Sequence, residues 1–89
     1  MKLSNNRELY EYLVLLESKL KGYGSHGLSN DVAAAARTAA TIPVTEFLGE
    51  SRISLRRVLA EENGVLSQNE RAEIQDVLQQ LDASFDRWR

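Results

Sequence analysis

The feature that most constrains this chain is a long apolar stripe near its C-terminal end. Six apolar residues recur at helical spacing and fall on one side of a helix: Ile74, Val77, Leu78, Leu81, Phe85 and Trp88. Just before the stripe, Ser67 and Glu70 form a capping box, in which each side chain accepts a backbone N–H of the other residue. The pattern predicts a helix over about residues 68–88. Because such a helix must bury its apolar side against another element, the rest of the chain has to supply packing partners.

The first partner is predicted close to the N-terminal end. Four leucines recur on one helical face: Leu9, Leu13, Leu16 and Leu20. Ser4 or Asn5 is placed to cap the free N–H groups, and Gly22 is placed to close the helix in a left-handed conformation. These signals predict a helix over about residues 5–21, followed by a glycine-rich loop over residues 22–29.

Two further helices are predicted in the middle of the chain. Ser29 opens an alanine-rich segment, residues 30–41, which favours a tightly packed central helix because alanine is the best helix former and lets neighbouring helices approach closely. Residues 44–63 predict a longer helix that Gly64 stops. No alternating pattern typical of a strand is present. The sequence therefore predicts a single all-α domain over residues 1–89, either a four-helix bundle or two packed antiparallel helical hairpins.

Charge and size limit the function classes. The formal net charge is −2, which gives no general attraction to nucleic acid or to an anionic membrane. The apolar run at residues 13–16 is too short for a signal-peptide core or a membrane span, so a soluble, cytoplasmic protein without membrane association is expected. An 89-residue chain without cysteine has a thin stability margin, and self-association would add to it.

The residues needed for enzyme chemistry are sparse. His26 is the one histidine, and with no cysteine it lacks the companions of a metal site or a nucleophile–base pair. In the glycine-rich loop it is expected to be a solvated side chain. The loop also lacks the preceding strand and the lysine of a phosphate-binding loop. We therefore expect a non-enzymatic protein without a cofactor or metal.

The stretch LGESRISLRRVL, residues 48–59, supports a different interpretation. Six of its residues match the pattern Leu-Gly-Val-Ser-Arg-x-x-Leu-x-x-x-Leu: Leu48, Gly49, Ser51, Arg52, Leu55 and Leu59. This stretch resembles the turn and recognition helix of bacterial helix-turn-helix proteins. The resemblance implies a DNA-binding unit over residues 43–59, with a turn at Gly49 and a cap at Ser51. It also implies nucleic-acid contacts by the arginines of the segment: Arg52, Arg56 and Arg57.

Other residues of the same segment favour a packing helix. Glu50 occupies the valine position of the pattern, which is normally buried, and an unpaired buried carboxylate is costly. Acids also outnumber arginines here, so nucleic acid is not the expected partner. The two interpretations differ at one position, because a DNA-binding unit turns at Gly49 and a packing helix runs through it.

The core face of a continuous third helix consists of Phe47, Leu48, Leu55, Val58 and Leu59. Other apolar residues lie outside that face. Gly49, Ile53 and Ala60 form one such row, and Tyr10 and Val14 form another on the first helix. These rows either pack inside a compact bundle or form a second contact surface. We take the second alternative as the functional hypothesis: a protein–protein interaction module that forms a homodimer through one or both rows. The DNA-binding unit is kept as the alternative.

Overall fold

The computed structural model describes residues 2–84 and shows an all-α protein in that range, as predicted. Its four α-helices are α1 (Asn6–Gly22), α2 (His26–Arg37), α3 (Val44–Glu61) and α4 (Gln68–Ser84), with a 3₁₀ turn at Thr38–Ala40 after α2. The end of the predicted fourth helix, with Phe85 and Trp88, lies outside the described residues.

The helices form a bundle in which each runs antiparallel to the next. The three-residue connection at 23–25 turns α2 back along α1. An ion pair between Arg57 and Asp31 joins the C-terminal part of α3 to the middle of α2 at 3.2 Å. Lys19 and Glu70, 3.8 Å apart, join the end of α1 to the start of α4. Since α4 also lies beside α1, the helices form one all-α bundle in which sequence neighbours are antiparallel.

The caps predicted at the starts of α1 and α4 are present as hydrogen bonds. The Glu8 N–H donates to Asn5 Oδ1 at 2.9 Å, which caps α1. At α4, the Glu70 N–H donates to Ser67 Oγ at 3.1 Å, and the Ser67 N–H donates to Glu70 Oε1 at 2.8 Å. The capping box is therefore confirmed in both directions.

The predicted glycine-rich loop is too long, because α2 begins at His26 instead of residue 30. Leu28 is buried in the core, and the Ser29 hydroxyl donates to the Glu17 carbonyl of α1 at 3.0 Å. These contacts hold the first turn of α2 against α1, so Ser29 lies inside the helix rather than capping it. The left-handed residue of the connection is Gly24 (φ 85°), and not Gly22 as predicted.

One apolar core joins all four helices, and on α1, α3 and α4 it uses the faces predicted from the sequence. On α3 the inward arc is fully buried at Phe47, Leu48, Leu55 and Val58. The fully buried apolar side chains of the other helices are Leu9, Leu13, Leu20, Val32, Ile74, Val77 and Leu81. Phe47 is the largest side chain in this group.

Candidate functional site

Helix α3 is unbroken through Gly49. The helix spans Val44–Glu61. Ser51 is fully buried, and its hydroxyl donates to the Phe47 carbonyl at 2.8 Å, which is the bond of a serine within a helix rather than of a cap. The turn that the helix-turn-helix resemblance implies is therefore not formed in this structure.

This continuity predicts the effect of replacing the glycine. Gly49 has no positive φ, and an added Cβ would meet no atom within 4 Å. Because alanine is the better residue in a helix interior, we expect Gly49→Ala to raise the free energy of unfolding by about 0.5–1 kcal/mol in urea denaturation.

Gly64 provides the matched control for that experiment. Its φ is 82°, so Gly64→Ala strains the backbone and lowers the free energy of unfolding by about 1 kcal/mol. A loss of stability in Gly49→Ala similar to that in Gly64→Ala would mean that the chain turns at Gly49.

The three arginines predicted as alternative DNA contacts are tied to acids of the bundle. Arg52 Nε lies 2.9 Å from Asp82 Oδ1, and Arg56 Nη2 lies 3.5 Å from the same oxygen. Arg57 pairs with Asp31, as described above, and with Glu61 at 4.0 Å. Their charges are partly compensated on α2, α3 and α4.

The two predicted interface rows lie outside the core. Tyr10 and Val14 on α1 are 42% and 37% exposed, and Ile53 on α3 is 56% exposed. Ala60 is exposed and Gly49 is half-buried. The alternative in which the compact bundle buries these rows is therefore wrong for Tyr10, Val14 and Ile53.

The structure does not bring the two rows together in one depression. Tyr10 lines an open depression between α1 and α2, which we call the α1–α2 groove; its other residues are Asn6, Arg7, Ala36, Arg37, Ala39 and Ala40. Ile53 lines a second depression between α2 and α3 together with Asp31, Ala34, Ala35, Thr38, Glu50, Ser54 and Arg57. Helix α2 therefore separates the apolar side chain of α1 from that of α3.

Two features of α2 were missed in the sequence. The alanines of the predicted helix were expected to pack tightly inside, but only Ala35 and Ala36 are buried, whereas Ala34 on α2 and Ala40 in the 3₁₀ turn are exposed. Arg37 borders the α1–α2 groove beside Tyr10. The alanine pattern indicated close packing, but it did not show which side of α2 would remain open.

Glutamates of α4 lie close to two tyrosines, one on α1 and one just after it. The carboxylate of Glu70 accepts the Tyr23 hydroxyl at 2.7 Å, and this bond, with the Ser67 N–H, lowers the pKa of Glu70. Burial raises the pKa of the Tyr12 hydroxyl, with a contribution from nearby Glu73. The Tyr23–Glu70 hydrogen bond therefore ties the connection after α1 to the first turn of α4.

No group of three or more His, Asp or Glu side chains within residues 2–84 is arranged to hold a metal ion. His26 is exposed at the first residue of α2, not in a loop as predicted. None of the helices in this range combines the length and apolar composition that crossing a bilayer requires. No known protein family, curated protein or solved structure matches the chain.

Proposed function

We propose that this protein is a non-enzymatic interaction module that self-associates through the surfaces of its helices. The observation that carries the proposal is the exposure of Ile53, Tyr10 and Val14 on a bundle whose core is already complete without them. Exposed apolar side chains that cluster beside small residues are typical of contact surfaces.

Two properties of the bundle support self-association over a catalytic role. The depressions that contain Tyr10 and Ile53 are open, and their lining residues include alanines and charged side chains but no histidine or cysteine that could form a nucleophile–base pair. A chain of 89 residues also gains stability when apolar surface is buried between copies, at about 25 cal/mol per Å².

The test is the oligomeric state of Ile53→Glu. We expect the wild type to sediment as a dimer at micromolar concentration. We expect the variant to be a folded monomer under the same conditions, because a carboxylate cannot be buried at an apolar contact without a partner. Sedimentation equilibrium measures the mass, and far-UV circular dichroism checks the fold.

Leu15→Glu is the matched control. Leu15 is similarly exposed (51%) but lies on the side of α1 that faces α4, beside Tyr12 and Glu73. This variant should remain a dimer. A wild type that stays monomeric throughout the concentration range contradicts the proposed function.

A further inference from the structure

Arg37 differs from the other arginines of the described chain. Each arginine at positions 7, 52, 56, 57 and 71 has an oxygen of a carboxylate within 3.6 Å. Arg37 is exposed at the end of α2 and has no such partner within residues 2–84. Because it borders the α1–α2 groove, the groove combines an apolar wall with an uncompensated positive charge.

Helix α3 carries the complementary set of side chains. Glu46, Glu50 and Ile53 stand at i, i+4 and i+7, so they lie on one outward row. Both glutamates are exposed, and neither is ion-paired within residues 2–84. Since like charges four residues apart weaken a helix slightly, a cation placed between them would relieve the repulsion.

We infer that the α1–α2 groove of one copy receives the α3 row of a second copy. Ile53 packs against Tyr10 and the alanines, and Glu50, with Glu46, pairs with Arg37. This inference rests on the proposed function. It adds the register of the contact, that is, which residues of the two copies meet. Because α2 lies between the groove and the row, a two-fold axis beside α2 makes the same contact twice and closes the assembly as a dimer.

Charge reversal at the two ends of the ion pair tests this register. Arg37→Glu and Glu50→Arg should each raise the dissociation constant of the dimer at least about tenfold, because each variant places like charges against each other. Both positions are exposed, so both variants should fold. Sedimentation equilibrium measures the dissociation constant, and raising the salt concentration should weaken the wild-type dimer.

Combining the reversals should restore the dimer in two ways. The double variant Arg37→Glu with Glu50→Arg forms two inverted ion pairs, so its dissociation constant should return close to that of the wild type. An equimolar mixture of the two single variants should also dimerise, since each contact then joins a glutamate to an arginine. Recovery in both experiments identifies these residues as partners across the interface.

Lys2→Glu is the control for the change in net charge, because Lys2 is exposed in a depression beside Leu15 and away from α2. It should leave the dissociation constant unchanged. A wild-type dimer that the single reversals do not weaken, or that the mixture does not restore, overturns this register while leaving the proposed self-association intact. A wild type that is monomeric contradicts both this register and the proposed self-association. An assembly that grows beyond the dimer as the concentration rises contradicts the two-fold closure.

Discussion

Phe47→Ala is expected to lower the free energy of unfolding by about 3–5 kcal/mol. Phe47 lies on α3 in the core shared by the four helices, and it is the largest of the fully buried side chains. Its removal loses the transfer free energy of the ring and leaves a cavity that the surrounding leucines and valines fill only in part. Small domains have a total stability of about 5–15 kcal/mol, so this single change should leave the protein close to unfolding.

Urea denaturation followed by far-UV circular dichroism measures this loss. The matched control is Leu15→Ala, which removes an apolar side chain that is 51% exposed on α1 and should cost less than about 1 kcal/mol. Similar losses in the two variants would contradict the placement of Phe47 in the centre of the bundle. The comparison separates core packing from the general effect of removing apolar atoms.

Local signals in the sequence were sufficient to predict most of this fold. The cap at Asn5 and the capping box at Ser67 depend only on residues three positions away, and both are present as hydrogen bonds. The inward arc of α3 depends on helical periodicity alone, and Phe47 and Leu55 on that arc are fully buried. Short-range chemistry therefore fixed the helices and their buried faces.

The errors concern contacts between helices. Ser29 was expected to start α2, but its hydroxyl bonds to the Glu17 carbonyl of α1 and the helix begins earlier. The open side of the alanine helix and the isolation of Arg37 likewise depend on where α1 and α3 lie. Neither could be predicted, because periodicity assigns a buried face without naming the helix that covers it. The arrangement of the α1–α2 groove is therefore a property of the tertiary structure.

The connection between α3 and α4 depends on one buried carboxylate. Glu62 follows the last residue of α3, and its side chain is 3% exposed. It accepts the Leu66 N–H at 2.9 Å and lies 3.2 Å from Arg71 Nη1 on α4. The turn between them contains a left-handed pair, Asn63 at φ 55° and Gly64 at φ 82°. Glu62 therefore holds the end of α3, the turn and the start of α4 together.

The charge of Glu62 should matter more than its shape. The backbone N–H of Leu66, followed by those of Gly64 and Val65 and the Arg71 guanidinium, lowers the pKa of Glu62 below its ordinary 4.5 although burial opposes the shift. A carboxyl group with a lowered folded-state pKa stabilises the fold above its unfolded pKa, and this contribution is lost as pH falls through the folded pKa. Glu62→Gln keeps the size of the side chain but removes the charge.

We therefore expect Glu62→Gln to lower the Tm by several degrees near neutral pH, since the Arg71 guanidinium loses its partner. The difference from the wild type should begin to shrink as pH falls below the ordinary pKa of 4.5, and it should disappear below the folded-state pKa, where protonated Glu62 is as uncharged as glutamine. Thermal unfolding by circular dichroism across this range measures both effects. Glu61→Gln is the control: that side chain is 61% exposed and 4.0 Å from Arg57, so its Tm should follow the wild type at every pH. A difference for Glu62→Gln that stays constant with pH would show that packing or hydrogen bonding, and not the charge, stabilises the connection.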